Sequence, residues 1–372
     1  MPLSPLVTKS FAKLNLYLQV LNKRKDNFHN LSTLFARIDL ADTIIFRKRR
    51  DSLIKIKCAS RQVPKDKTNL CYRAAALLKQ ELRLKNNGLP SSRQSHKLSS
   101  GIEIELKKCI PVGAGLGGGS SNAASVLLGL NRFWNLKLTK TRLINLGAKL
   151  GSDVPFFIHQ TKFALGSQRG DKVKPLISLD KLKLWFILVY PNFKVSTPLI
   201  YQKFDTFGGI QTSPLRKDKK YTAFGINPKQ APGFNLGLRR IDAYLSAGRT
   251  FSQLTPQLVQ IQDGKKLNRK QGAGLTRPRR NVKILTSQLL KKGRAVDADC
   301  LFNSLEVITS NLYPIVNRVK NALSGMGLDK VMMSGSGPAV FAICDSCMQA
   351  QSLRSKLCKQ YKSWQVFVVS TV

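Results

Sequence analysis

Residues 111–122 of this 372-residue chain read Pro-Val-Gly-Ala-Gly-Leu-Gly-Gly-Gly-Ser-Ser-Asn, five glycines and two serines between an alternating stretch, 101–106, and an apolar one, 123–130. A strand-to-helix turn suits such a segment better than any regular element. Glycine lets successive N–H groups converge on one point, and the helix that follows adds unpaired amides and the positive end of its dipole. A phosphate is stabilised there without any basic side chain. The segment lacks the Gly-Lys-Ser/Thr ending of a P-loop, and it lacks the downstream acid and βαβ setting of a dinucleotide fold. A flexible glycine-rich turn is the plain alternative.

The chain around it alternates strand-like and helix-like stretches. Residues 14–21 alternate as a half-buried strand, and further strands are predicted at 43–46, 53–58 and 101–106. Residues 69–84 carry Leu70, Ala74, Leu77, Leu78 and Leu82 on one helical face. Residues 139–150 predict a helix stopped by Gly151, and Ser152-Asp-Val-Pro155 has the chemistry of the next helix start, with Asp153 at its N-terminus. Six apolar residues, 185–190, predict a strand buried on both faces and closed by Pro191. Later come helices at 301–308 and 314–323, a strand at 330–333, a glycine-rich loop at 334–338, a strand at 339–343, a helix at 349–361 and a strand at 364–369. The mixture implies an α+β sandwich. Two stretches interrupt it: a polar, turn-rich one at 85–100, and a basic one of weak periodicity at 207–290 that reads as an insertion.

Length suggests two domains, each large enough for a stable interior, and a hydrophobic content of 42% excludes a disordered chain. Against 20 Asp and Glu stand 62 Lys and Arg, and the net charge of +42 attracts polyanions in a salt-dependent way. The densest clusters, 265–270 and 277–280, lie in the insertion, where no RNA-reading aromatic motif interleaves with them. Polyanion association is therefore a secondary expectation, and an RNA-associated protein the rival class. Seven scattered cysteines exclude the disulfide framework of a small secreted domain and point to a reducing cytoplasm. The pair Cys344 and Cys347 does not complete a zinc site with three distant histidines, and reads as two thiols in a surface turn. The first residues hold no signal-peptide core and no run approaches the length of a membrane span, so a cytoplasmic protein without a membrane partner is expected. Nothing in the sequence sets an oligomeric state.

Four pieces stand together: Lys13 at the head of the first strand, the glycine loop, Asp153, and the second loop Ser334-Gly-Ser-Gly-Pro338. With Ala12-Lys-Leu-Asn-Leu-Tyr-Leu18, Asn27-Phe-His29 and Leu150-Gly-Ser-Asp-Val-Pro-Phe-Phe157, the chain resembles the GHMP kinase superfamily over residues 10–205 and about 295–370. Within it, the likeness is to the branch acting on a cytidine-bearing alcohol. The resemblance implies an α+β, two-domain GHMP kinase fold: an N-terminal nucleotide-binding α/β domain over 1–178 with phosphate loop and general base, and a C-terminal α+β sandwich over 179–372 carrying the insertion. It also implies an enzyme that uses ATP and Mg2+ to phosphorylate the erythritol part of a small-molecule cytidine diphosphate alcohol. Another kinase of the superfamily, with a mevalonate-like or homoserine-like alcohol, is the near alternative, because the phosphate loop does not name the alcohol.

Phosphoryl transfer needs an aligned alcohol, an acceptor for its proton and positive charge around the moving group. Asp153 suits the acceptor, since a helix start favours its carboxylate form, with a plain N-cap as the alternative. Lys13 holds that carboxylate and the nascent alkoxide by charge. For ATP the resemblance implies Pro111, Gly113, Gly115, Leu116, Gly117, Gly118 and Gly119, with Ser120 or Ser121 meeting a phosphate or the metal, and Ser120 the metal candidate. Asn69 corresponds to a residue at the adenine end or is a helix cap. At the cytidine end, a ring nitrogen of His29 reads the polar edge of cytosine while Phe28 stacks, where members often carry Tyr. Asn15 bonds the diol or a phosphate, and Ser196 and Thr197 face the substrate. His96 and His159 read as structural. Asn303-Ser-Leu-Glu306, one acid short of the superfamily's usual Asn-Asp-Leu-Glu, reads as a structural helix start.

Overall fold

Alternating side chains build two long strands at the start of the chain, β1 (Leu6–Lys23) and β2 (His29–Lys48), paired antiparallel with Lys13 opposite Arg37 and Asn15 opposite Phe35. Both outrun the stretches expected at 14–21 and 43–46, because cross-strand pairing carries a strand past its most alternating residues. The computed structural model describes residues 4–86, 101–206, 282–293 and 297–372. All of these belong to one unit, Met1–Ser213 with Pro278–Val372. Residues 87–100, with His96, and 207–281 of the basic insertion, with both charge clusters, lie outside the described residues.

After β3 (Ile54–Cys58) and α1 (Leu70–Asn86), β4 (Ile102–Lys107) pairs with β2 and leads through the glycine loop into α2 (Gly118–Phe133). Helix α3 (Lys140–Leu150) starts where the Thr139 hydroxyl accepts from Arg142 N. Then come α4 (Val154–His159), β5 (Phe163–Gln168) and β6 (Lys172–Pro175). A seven-stranded sheet results, ordered β3-β4-β2-β1-β8, with β5 on β2 and β6 on β5; its last member, β8, is the two-residue Phe302–Asn303.

The second sheet is antiparallel in the order β11-β7-β10-β9, from β7 (Trp185–Tyr190), β9 (Val331–Met333), β10 (Val340–Cys344) and β11 (Gln365–Ser370). Helix α5 (Thr197–Thr206) lies on its far face, α6 (Val282–Lys292) packs in the core between the sheets and against β2, and α7 (Glu306–Leu312), α8 (Ile315–Ser324) and α9 (Cys347–Gln360) complete the far face. The chain passes from the first sheet to the second between β6 and β7 and returns to the first at β8.

Three apolar cores separate four layers. One packs α1 to α4 on the first sheet, through Ile44, Phe46 and Ile104 against Ala74, Leu78, Leu127 and Phe156. Between the sheets, Leu14, Leu16, Leu34 and Ile38 meet Phe186, Leu188 and Phe341. On the far side, Ile187, Val189, Val340 and Ala342 meet Ile200, Val316, Val319, Leu353 and Leu357. Strand β7 thus buries alternate residues in two cores, which is why its six residues are all apolar.

Three expectations need correction. The helix expected at 301–308 is strand β8 followed by α7, because the Asn303 amide donates to Met333 O and Gly335 O, both at 2.8 Å, and its oxygen accepts from Leu305 N at 3.0 Å. The insertion ends earlier than 290: α6 buries Leu285 and Leu289, spaced by four, in the core between the sheets. Cys344 is not in a surface turn but buried at the end of β10, where burial pushes its thiol up to about 11. All seven cysteines are free thiols. Among the described residues no helix is long and apolar enough to cross a membrane.

Candidate active site

Strand alternation places Lys13 and Asn15 on one side of β1, facing away from the core that takes Ala12, Leu14 and Leu16. Lys13 is buried, and its ammonium donates to the Asn15 side-chain oxygen and lies 3.6 Å from Asp153 Oδ2. The Asn15 amide donates to Thr33 Oγ1 at 2.8 Å, so Asn15 is held at both ends, by Lys13 and by Thr33. Asp153 stands at the N-terminus of α4 and makes no side-chain capping bond, which leaves its carboxylate for Lys13 and the cleft.

The glycine loop closes the opposite wall. Gly115 and Gly117 have φ of +78° and +69°, conformations that side chains resist. A Cβ on Gly115 would run into Ser334 O, and one on Gly117 would lie 3.1 Å from Lys13 Cγ and from the Phe157 ring. The close approach of loop, lysine and second glycine loop therefore requires both glycines. The Gly115 carbonyl accepts from Ser334 Oγ at 3.2 Å and the Ala114 carbonyl from Ala339 N at 3.2 Å. Beneath the loop lies a buried polar cluster: Asp42 accepts from Lys108 Nζ, from Cys109 N at 2.8 Å, Ile110 N at 2.9 Å and Asn122 Nδ2 at 2.9 Å. Nothing in the sequence marked Asp42, whose partners are scattered over 80 residues.

These walls enclose one cleft of about 880 Å³, of the size that small-molecule sites take. Pro111, Gly113, Gly115, Leu116, Gly117, Gly118, Gly119 and Ser120 line it, as do Lys13, Asn15, Asp153, Phe28, His29 and Thr197. Two expected residues are elsewhere. The Ser121 hydroxyl is buried and bonds Ser10 Oγ at 2.7 Å, so Ser120 alone of the pair lines the cleft. Ser196 is exposed at the start of α5, where its hydroxyl accepts from Leu199 N at 3.5 Å, and the cleft wall begins with Thr197. Asn69 lines the cleft beside Gln62, Val63, Pro64 and Thr68, yet its side chain is spent locally: Oδ1 accepts from Cys71 N at 2.8 Å and Nδ2 donates to Pro64 O at 2.5 Å. It is a helix cap in the cleft wall.

At the far end, Phe28 is exposed with the Arg169 guanidinium 5.2 Å over its ring. His29 is buried, stacked on Tyr201 at 5.3 Å, with Nε2 2.6 Å from Asp205 Oδ1. Burial and the negative charge of Asp153 both push the Tyr201 phenol up. Tyr201 and Asp205 went unnoticed in the sequence. The signal was there: Thr197, Tyr201 and Asp205 recur every four residues, one face of a helix. The Thr197 hydroxyl bonds Ser336 Oγ at 2.7 Å, tying that face to the second glycine loop.

Residues 69–161 match the family of GHMP kinases N terminal domain, and residues 285–363 match that of GHMP kinases C terminal. A 4-diphosphocytidyl-2-C-methyl-D-erythritol kinase of Moorella thermoacetica is 34% identical over 356 residues, 96% of each chain. The protein of that name in Syntrophus aciditrophicus is 32% identical over 362 residues, 97% of each chain. A solved 4-(cytidine 5'-diphospho)-2C-methyl-D-erythritol kinase superposes with a TM-score of 0.61 at 25% identity, covering 98% of this chain and 99% of that one. The mevalonate kinase of Methanococcus jannaschii, at 12% identity and a TM-score of 0.56, shares the fold. On these matches the chain belongs to the GHMP kinases and, within them, to the family of 4-diphosphocytidyl-2-C-methyl-D-erythritol kinases.

Proposed function

We propose that this chain transfers the γ-phosphoryl group of ATP to the erythritol 2-hydroxyl of 4-diphosphocytidyl-2-C-methyl-D-erythritol, a step of non-mevalonate isoprenoid precursor synthesis. One observation carries the reading: Lys13 and Asp153 meet 3.6 Å apart at the mouth of the glycine loop, within a cleft that continues to an aromatic end at Phe28, His29 and Tyr201. Loop amides and the start of α2 receive the phosphates. The alcohol lies between them and Asp153, whose carboxylate takes the hydroxyl proton as the new bond forms. Lys13, desolvated and held by Asn15, faces the charge that develops on the attacking oxygen.

Magnesium is proposed to arrive on the nucleotide. The Ser120 hydroxyl in the cleft wall is a hard oxygen donor of the kind Mg2+ accepts, with phosphate oxygens as its other ligands. Among the described residues, no group of three or more His, Cys, Asp or Glu side chains stands ready to hold a metal. Bound there, the ion would offset phosphate charge. Seven unpaired thiols fit a reducing compartment such as the cytoplasm.

The test is a coupled ADP-release assay with the cytidylylated erythritol, the free methylerythritol, mevalonate and homoserine side by side. Turnover of the first alone supports the reading. Equal or faster turnover of mevalonate or homoserine would replace it with another kinase activity of the superfamily.

A further inference from the structure

Asp205 has no part in the phosphoryl transfer proposed above, yet both its carboxylate oxygens are engaged at the aromatic end of the cleft. Its Oδ1 lies 2.6 Å from His29 Nε2 and its Oδ2 2.7 Å from Lys23 Nζ. Burial pushes its carboxyl pKa up, but bonds from Lys23 and His29 more than reverse this and hold it below the ordinary carboxylate value. An ionised carboxylate only accepts hydrogen bonds, so the proton of the neutral imidazole belongs on Nε2. Nδ1 then carries a lone pair. Among the described residues Nδ1 has no hydrogen-bond partner, and the residue lines the cleft. Tyr201 stacks on the ring at 5.3 Å and the Phe204 ring meets it edge-on at 6.1 Å.

We propose that Asp205 is a positioning residue that fixes the Nε2–H tautomer of His29, so that Nδ1 acts as an acceptor and selects a base with an exocyclic amino donor, cytosine, over one with a carbonyl there, uracil. The inference rests on the function proposed above, since it takes the pyrimidine to occupy this end. Uracil would set its carbonyl oxygen against a lone pair in a partly desolvated site, and neither acceptor would have a donor. Lys23 is a separate matter. Its contact with the other carboxylate oxygen pins α5 to the end of β1 without touching the imidazole.

The experiment has two readouts on the full chain. Nitrogen-15 NMR in mildly alkaline buffer, with His29 assigned from His29→Gln among only three histidines, reads the tautomer directly. Steady-state assays with cytidylylated and uridylylated methylerythritol read the discrimination. The wild type is expected to carry one proton, on Nε2, and to prefer the cytidine substrate in kcat/KM by about 10- to 100-fold, the cost of one unpaired buried polar group. Asp205→Ala should lose the fixed tautomer and most of that preference, through a raised KM for the cytidine substrate with kcat and the KM for ATP nearly unchanged. Lys23→Gln should keep both, and Asp205→Glu should restore part of the preference. A wild-type ring protonated on Nδ1 or on both nitrogens, an unchanged ratio in Asp205→Ala, or an equal collapse in Lys23→Gln would overturn the proposal. Turnover of neither nucleotide substrate by the wild type would instead sink the proposed function.

Discussion

The two ends of the cleft are built from different material. At the phosphate end the surface is mostly main chain from one run of residues, 111–119, fixed by glycine conformations and braced by the second glycine loop. At the aromatic end it is side chains, His29, Tyr201 and Asp205, from segments up to 176 residues apart and joined by one carboxylate. A main-chain site tolerates surface change around it but hardly any change of backbone. A side-chain site keeps its backbone and depends on which atoms carry protons. Between the two stands the pair Lys13 and Asp153, 3.6 Å apart, which belongs to neither design and to which the proposed function gives the chemistry.

If that division is right, the largest effect lies at the centre. Asp153→Asn should lower kcat by about 10²- to 10⁴-fold while leaving the KM for ATP within a few-fold, as expected when a general base is removed. Near-normal turnover in a steady-state assay would remove Asp153 from its role and leave the comparison without its middle term. Next is the support of the main-chain end. Asp42→Ala leaves the Lys108 ammonium with Asn122 alone and no opposite charge, strands the backbone donors of Cys109 and Ile110, and should cost about 3–5 kcal/mol in a denaturant titration. A loss below about 1 kcal/mol would mean that the loop does not depend on the buried cluster.

Gly115→Ala sharpens the backbone argument. Strain at φ +78° and the collision with Ser334 O should cost about 1–3 kcal/mol and weaken nucleotide binding more than substrate binding, read by thermal melts and separate titrations. The smallest effect is expected at the other end's periphery. Lys23→Ala breaks an exposed ion pair and should change stability by less than about 1 kcal/mol. It should also alter the acid limb. The Asp205 carboxyl is held below its ordinary value of 3.8, so its stabilisation is full above that value and is lost as pH falls through the lowered one. Removing Lys23 takes away one lowering contact, so the loss should begin at higher pH in an acid melt series.

The same contrast governs what could be read from the chain. The phosphate loop was legible because its signal is consecutive, and Asp153 because Gly151 and Pro155 frame a helix start around it. Lys13 and Asn15 were legible only through the family resemblance, since the alternation read from the sequence began at Leu14, whereas the strand itself starts at Leu6. Ser120 and Ser121 were not distinguishable, since what separates them is a rotation of about 100° around the start of α2. Stretch 301–308 has helical apolar spacing, and only the bonds from Asn303 to Met333 and Gly335 hold its first part extended. Tyr201 and Asp205 were missed because their meaning comes from His29 and Lys23, far away in sequence.

The bracing of the glycine loop limits its use as a transplantable part. The carbonyls of Ala114 and Gly115 are satisfied by Ala339 and Ser334, more than two hundred residues downstream. Grafted alone onto another scaffold, the twelve-residue motif would bring two orphaned acceptors, each worth about 1–3 kcal/mol of penalty where water is excluded. A designer who wants this loop conformation must borrow its counter-loop as well.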